Sequence, residues 1–145
     1  MNKYMQIAIE QAKLSRGDIP VGVVLVKDDK IIAKACNTCE KDNDITSHAE
    51  ILALRNASKL LNNWRLDDCD MYVTLEPCPM CGWAILQSRI KNLYFGSFDM
   101  DYGAFSSADL LRISKFKTNI LGGIEEDECT KLLKDFFADL RKKKG

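Results

Sequence analysis

Four side chains in two short segments have the types and spacing to bind a metal ion and to move protons. His48 and Glu50 belong to the first segment, and Cys78 and Cys81 belong to the second. One imidazole and two thiolates supply three ligands to zinc and leave a fourth position for water, as in catalytic rather than structural zinc sites. Zinc lowers the pKa of such a water to about 7, so it becomes a nucleophile near neutral pH. Glu50 would take the water proton and pass it to a substrate.

The two cysteines lie where a predicted strand leads into a predicted helix. Cys78 and Cys81 are three positions apart and would therefore share one face of that helix. Pro79 suits the first helical turn, where its missing N–H costs nothing. The electropositive helix N-terminus would lower the pKa values of both thiols, which favours the thiolate forms that metals bind.

His48 is the only histidine in the chain, so no pair of histidines competes with it as a metal site. It begins the predicted helix 48–61 and could present a ring nitrogen to the same ion as the cysteines. A second interpretation of this segment stays open. Ser47 and Glu50 have the spacing of a capping box, in which Ser47 is the N-cap and Glu50 has a purely structural role.

A rival metal site uses a second C-x-x-C, formed by Cys36 and Cys39. Together with Cys78 and Cys81 it would make a closed four-cysteine site in a zinc-binding module without enzymatic activity. The gap between Cys39 and Cys78 is longer than is usual for that arrangement. The rival also leaves His48 unexplained.

Helical and strand patterns alternate along the chain after an initial hairpin. Helices are predicted over 2–15, 48–61, 79–88 and 108–113, with a last helix whose apolar stripe includes 129, 132, 133, 136, 137 and 140. Strands are predicted over 19–26, 31–35, 71–75, 92–95 and 119–121, with Gly96 ending the fourth, and polar loops over 36–46 and 97–107. Leu60 is expected on the buried face of its helix. This order predicts an α/β fold with helices on both faces of a mixed sheet.

Composition favours an ordinary soluble protein. The chain has 145 residues, 46% hydrophobic and 29% charged, which predicts a single domain over 1–145. Its first residues lack the apolar stretch of a signal peptide, and no stretch is long enough for a membrane span. We therefore expect a cytoplasmic protein without membrane association. In that compartment the six cysteines are metal ligands or buried thiols rather than disulfides, and Cys69 and Cys129 are expected to be buried.

Charge is balanced overall but not evenly distributed. The formal net charge is zero, so the whole chain does not attract nucleic acid strongly. A basic block ends the chain at 141–144, and a second basic stretch contains Arg112, Lys115 and Lys117. Either could contact phosphates. Alternatively, the basic end of the last helix only complements the helix dipole and stays solvated.

The pattern H-x-E…P-C-x-x-C is the signature of the zinc deaminases, which act on flipped or single-stranded bases. The resemblance goes further than this signature, since the chain resembles the bacterial tRNA adenosine deaminases over nearly its whole length. Besides Asn37, Met80 and Cys81, the similar segments are 19–22, 46–55, 64–66, 72–78, 88–90, 95–96, 127–129 and 135–137.

The resemblance implies a three-layer α/β/α fold like that of cytidine deaminases, with a five-stranded mixed sheet flanked by helices and usually a homodimer. It implies one zinc ion per chain, held by His48, Cys78 and Cys81, with a catalytic water as fourth ligand and Glu50 as proton shuttle. The hydroxide would attack C6 of the wobble adenine of a tRNA anticodon stem-loop, which yields inosine and ammonia. Substrate contacts fall, by matching position, on Asn37, on Asp99 near the sugar and on the backbone N–H groups of Ala49 and Cys78.

One loop departs from the family pattern Asp-x-Lys-x-Gly-Ala-x-Gly-Ser. Asp101 replaces the lysine and Ser106 replaces a glycine, and before Thr46 the chain has Ile45 instead of the usual proline. An acidic residue near nucleic acid loses a favourable phosphate contact. An alternative function therefore stays open, namely a free nucleobase or nucleoside deaminase of guanine or cytosine type on the same scaffold.

Overall fold

The computed structural model describes residues 1–144, and Gly145, the last residue of the predicted domain, lies outside the described residues. Helices and strands alternate after the first hairpin, as predicted. In chain order the elements are α1 (Lys3–Ala12), β1 (Gly22–Lys27), β2 (Lys30–Cys36), α2 (Cys39–Asp42), α3 (Ala49–Leu61), β3 (Cys69–Leu75), α4 (Pro79–Gln87), β4 (Asn92–Ser97), α5 (Leu110–Ile113), β5 (Asn119–Leu121) and α6 (Glu126–Lys144).

The five strands form one mixed sheet in the order β2-β1-β3-β4-β5. β1 pairs antiparallel with β2 and with β3, whereas β3–β4 and β4–β5 are parallel. The antiparallel part is the hairpin, which needs only a tight turn. The parallel part needs crossover connections, which α4 and α5 provide. The predicted five-stranded mixed sheet is confirmed.

Helices cover both faces of the sheet. On one face, α3 and α4 contribute Ala53, Ala57 and Ile85 to a core with the inward side chains of the strands. On the other face, Met5 of α1 and Cys129 of α6 enclose a smaller core. The predicted three-layer α/β/α arrangement is thus confirmed. Among residues 1–144, none of the helices has both the length and the apolar character to cross a membrane.

The hairpin turn is formed by Asp28 and Asp29, which both have positive φ angles of 51° and 61°. Two successive residues in the left-handed conformation form a two-residue turn whose twist matches that of the flanking strands. Asn62 likewise ends α3 in the left-handed conformation, with φ 52°. Short polar residues tolerate this conformation better than branched ones.

Several predicted boundaries and burials were wrong. α1 ends at Ala12, three residues before the predicted end at 15, and a short helix, α2, interrupts the predicted loop 36–46. Leu60 is 64% exposed, so α3 is buried on one side only. Gly96 lies inside β4 rather than after it, and a Cβ there would meet the Cys129 sulfur at 2.3 Å. Gly96 is therefore required by the close approach of α6 and not by a strand end.

Candidate active site

Two helix starts bring the signature residues together. His48 is the N-cap of α3, and Cys78 is the N-cap of α4, both with extended backbone. Cys78 follows β3 at its carboxyl end, and Cys81 lies buried in the first turn of α4. The capping-box interpretation is wrong, because the N-cap of α3 is His48 and not Ser47, and the His48 side chain makes no capping hydrogen bond.

The ligand atoms of His48, Cys78 and Cys81 form a cluster in which all lie within 4.8 Å of one another. The Nδ1 atom of His48 lies 3.4 Å from Cys81 Sγ and 3.7 Å from Cys78 Sγ. A tetrahedral zinc ion about 2.3 Å from sulfur and about 2.0 Å from nitrogen separates such atoms by about 3.6 Å. The donor set and its spacing therefore fit zinc, and the soft thiolates favour it over magnesium or calcium.

The electrostatics of the cluster favour the metal-binding form of one side chain, the thiolate of Cys78. Hydrogen bonding from Cys81 lowers the pKa of Cys78 to about 4. The same interaction, together with burial, raises the pKa of Cys81. The hydrogen bond with Cys78 raises the pKa of His48, despite the opposing effect of burial. Of the two thiols, Cys78 is therefore the one more easily deprotonated, and a bound metal ion would also deprotonate Cys81.

Glu50 lies in the first turn of α3 and is only 4% exposed. Burial, the largest effect, raises the pKa of its carboxyl to about 7. The nearby Cys78 thiolate raises it further, whereas His48 lowers it. A carboxyl group that takes up and releases a proton near neutral pH is suited to general acid–base catalysis.

A cavity of about 520 Å³ opens beside the cluster, a size typical of small-molecule sites. His48, Glu50 and Cys78 lie in its wall, and so do the predicted substrate residues Asn37 and Asp99. Ala49, the third predicted substrate residue, is fully buried, and its N–H donates to Asn37 Oδ1 over 2.7 Å. The structure thus brings the residues that were predicted to bind metal, protons and substrate to one place.

Some wall residues were not singled out from the sequence. Phe136, Phe137 and Leu140 of α6 line the cavity, together with Asp18 and Tyr102. Phe137 and Leu140 are 39% and 37% exposed. The one available signal was the length of the apolar stripe on α6, since the sheet covers only its first part. From the sequence, these α6 residues were recognised only as part of the apolar stripe of the last helix.

The rival four-cysteine site is wrong. Within residues 1–144, the only group of three or more potential ligands is His48, Cys78 and Cys81. Cys36 and Cys39 are free cysteines outside it. Cys69 and Cys129 are buried, as predicted.

Comparison with known proteins agrees with this chemistry. The model of the cytidine and deoxycytidylate deaminase zinc-binding region matches residues 1–97. The chain belongs to this deaminase family. The enzyme is 42% identical to the tRNA-specific adenosine deaminase of Bacillus subtilis (strain 168), in a match that covers 97% of this chain and 91% of the relative. It is 43% identical to the Haemophilus influenzae protein of the same name, with 98% and 86% covered.

Two solved structures are similar to this deaminase over different shares of its length. One comes from a study of A-to-I editing by tRNA:A34 deaminases, is 36% identical and has a TM-score of 0.88, with 90% of this chain and 99% of that chain covered. The other, guanine deaminase from Bacillus subtilis, is 40% identical and has a TM-score of 0.65, with 70% and 68% covered.

Proposed function

We propose that this deaminase hydrolyses the wobble adenosine of a tRNA anticodon to inosine and ammonia. The extent of the structural likeness carries this proposal. The tRNA:A34 deaminase structure is covered over 99% of its length at a TM-score of 0.88, whereas the guanine deaminase structure is covered over 68% at 0.65. The curated tRNA-specific relatives also match over nearly the whole chain, which includes α6.

The cofactor we propose is one zinc ion per chain, held by His48, Cys78 and Cys81, with a water molecule as fourth ligand. The support is the match between the observed spacing of the ligand atoms and tetrahedral zinc. When bound, zinc activates water for attack near neutral pH. The N-cap positions of His48 and Cys78 orient their side chains toward a common point before any ion binds.

Glu50 is the residue that moves protons. It takes the two protons of the attacking water in succession and delivers one to the purine ring nitrogen and the other to the exocyclic amine, which leaves as ammonia when its bond to carbon breaks. Its burial favours this role, because a carboxyl group with a pKa of about 7 exchanges its proton readily in both directions. Burial also keeps bulk water from competing for the transferred proton.

Asn37 and Asp99 are the proposed contacts to the base and the sugar. Asn37 Nδ2 donates to the Ile19 carbonyl over 3.0 Å, and an amide nitrogen has a second N–H that can face a base. Asp99 and the half-exposed aromatic side chains of α6 also line the cavity. Aromatic rings beside a polar pocket suit stacking with neighbouring bases of a single-stranded loop.

RNA binding is supported by the course of α6. Leu140 lies in the cavity wall, and the next residues, Arg141, Lys142 and Lys143, are exposed. The same helix therefore leads from the pocket to a basic end that can contact the phosphates flanking the target nucleotide. A free base would need no such surface.

We further propose that two copies associate. Large apolar side chains are exposed on α4 and on the loop after β4, namely Met80, Trp83, Met100 and Tyr102 at 39%, 40%, 79% and 71%. A second copy would remove this surface from water. Sedimentation of the purified protein tests this, and a monomer across micromolar concentrations would refute it.

The deciding experiment supplies the zinc-loaded enzyme with an anticodon stem-loop that carries the wobble adenosine. We expect inosine, and its absence would overturn the proposal. Free guanine, cytosine and adenine are assayed in parallel by ammonia release. The second candidate, a free-base deaminase, is favoured by the exposed Asp101 and by the likeness to guanine deaminase. Faster turnover of a free base than of RNA would support it.

A further inference from the structure

Glu76 is a buried residue of the cavity wall, and the groups that hydrogen-bond to its carboxylate all lie in one loop. It follows β3, two residues before Cys78, and is 1% exposed. Its Oε1 accepts the N–H of Asp99 over 3.1 Å, and its Oε2 accepts those of Phe105 and Ser106 over 3.0 and 2.9 Å. The Ser106 hydroxyl adds a bond of 2.7 Å to Oε1. The carboxylate thereby holds both ends of the segment 99–106.

Every group that makes a hydrogen bond with the Glu76 carboxylate is a hydrogen-bond donor. Only an acceptor with two oxygens can satisfy N–H and O–H groups on both sides, and an ionised carboxylate is the one side chain that does so. A glutamine would turn its NH₂ group toward one set of donors. Buried donors left without an acceptor are costly, so the loop would have to move.

The contacts around Gly103 leave this loop little room. A Cβ on Gly103 would lie 2.4 Å from the Glu76 carboxylate, so the backbone passes directly over it. Next to it, the Ala104 N–H donates to the Pro77 carbonyl over 2.9 Å. The loop is thus packed onto the same short segment that ends in the metal ligand Cys78.

The loop in turn forms part of the cavity wall. Asp99 and Tyr102 both line the cavity. Asp99 Oδ1 accepts hydrogen bonds from the N–H groups of Asp101 and Tyr102 over 3.1 and 3.0 Å. The position of Asp99 therefore determines the path of the loop as far as Tyr102. The N–H of Asp99 is itself held by Glu76.

We propose that Glu76 is a positioning residue that fixes the substrate-binding loop 99–106 relative to the metal ligands. This inference rests on the proposed function, because it assigns the loop to the substrate side of the same site. Glu76 lies in the cavity wall, but it is only 1% exposed and its carboxylate oxygens are taken up by donors of the loop. It acts through Asp99 and Tyr102, and its loss weakens substrate binding more than the chemical step.

The test compares Glu76→Gln with Ser106→Ala, which removes only the hydroxyl donor. For Glu76→Gln we expect the KM for the stem-loop to rise at least about tenfold, since a charged hydrogen-bond acceptor is lost. The kcat should fall by less than about threefold and the zinc content should stay at the wild-type value. Ser106→Ala should raise KM by about two- to fivefold. Glu10→Gln, on the exposed face of α1, is the matched control.

Amide hydrogen exchange without substrate provides the second readout. In Glu76→Gln the amides of Asp99, Phe105 and Ser106 should exchange faster, while those of β3 stay protected. Unchanged exchange at these amides, or a kcat loss that accompanies loss of zinc at unchanged KM, would overturn the proposal. The exchange result does not depend on RNA turnover. If the wild-type enzyme forms no inosine, the proposed function fails, and the KM comparison is then made with the free base that the enzyme turns over.

Discussion

Asn37 Oδ1 accepts a hydrogen bond of 2.7 Å from the backbone N–H of Ala49, the first residue of α3. Its Nδ2 donates to the Ile19 carbonyl over 3.0 Å. Ala49 lies between His48 and Glu50, so one amide side chain connects the start of the helix that carries both residues to the chain segment before β1. The residue that was predicted as a substrate contact thus also orients the proposed catalytic groups.

Two substitutions separate these roles of Asn37. Asn37→Ala leaves the buried Ala49 N–H without an acceptor, which should cost about 1–3 kcal/mol of the free energy of unfolding. Asn37→Asp keeps the acceptor and loses the donor. We expect the unfolding temperature of Asn37→Asp to lie above that of Asn37→Ala, because the Ala49 N–H keeps its acceptor, and below that of the wild type, because the donor to the Ile19 carbonyl is lost. The kcat/KM should fall at least about tenfold in both variants. Full activity of Asn37→Asp would exclude a donor role toward substrate.

The fold was predictable where short-range rules determine it. The turn between the two strands of the hairpin, the helix end at 61 and the helix start at Pro79 depend on residues that are close in sequence, and each was placed correctly. Strand β5 was also predicted at its observed bounds, Asn119–Leu121.

Features that depend on distant contacts were missed. Leu60 follows the helical spacing of the buried residues of α3. It is nevertheless exposed, because the sheet covers only one side of this helix. Gly96 was predicted to end its strand, yet it lies within the strand, and a glycine is needed there because the Cys129 side chain leaves no room for a Cβ. The apolar stripe of α6 contains core residues and cavity residues at the same spacing, and only the position of the pocket distinguishes Phe137 from Cys129.

The metal cluster was predictable because its chemistry is carried by residue types. A chain with one histidine and a C-x-x-C at a helix start offers few possible sets of metal ligands. The structure brings His48, Cys78 and Cys81 together. The part played by Glu76 was not predictable. A glutamate two residues before a metal ligand has no spacing signature, and its partners lie 23–30 residues further along the chain.

Glu50→Gln tests the proton-transfer role. The amide keeps the size of the side chain but cannot take a proton from water, so we expect the rate of deamination to fall by about 10²–10⁴-fold. Zinc content, measured by elemental analysis, should match that of the wild type because Glu50 is not among the clustered ligands. Glu10→Gln controls for the loss of a carboxylate. Retention of more than about a tenth of the wild-type rate would contradict the assignment.

Cys81→Ala tests the ligand set. Removal of one of three protein ligands should abolish stoichiometric zinc binding together with activity. Cys36→Ala is the matched control, since Cys36 belongs to the other C-x-x-C and lies outside the cluster. We expect this variant to retain one zinc per chain. The reverse outcome, in which Cys36→Ala loses the metal and Cys81→Ala keeps it, would point to different ligands.

Asp101→Lys tests whether the cavity loop faces RNA. Asp101 is exposed in the loop that carries Asp99 and Tyr102, so a nearby phosphate would gain a favourable contact from a lysine at this position. We expect the KM for the stem-loop to fall several-fold at low salt. The difference from the wild type should shrink as salt rises, because screening weakens exposed charges over about 10 Å at 0.1 M.

The matched control for this charge reversal is Asp67→Lys. Asp67 is exposed and precedes β3, at the opposite end of that strand from Glu76 and the cavity. The same change in net charge there should leave the KM for the stem-loop nearly unchanged. Equal effects of both variants would mean that only the overall charge acts on RNA. An unchanged KM in Asp101→Lys, together with turnover of free guanine or cytosine, would instead assign the loop to a small-molecule substrate, since a neutral base offers no phosphate to the new cation.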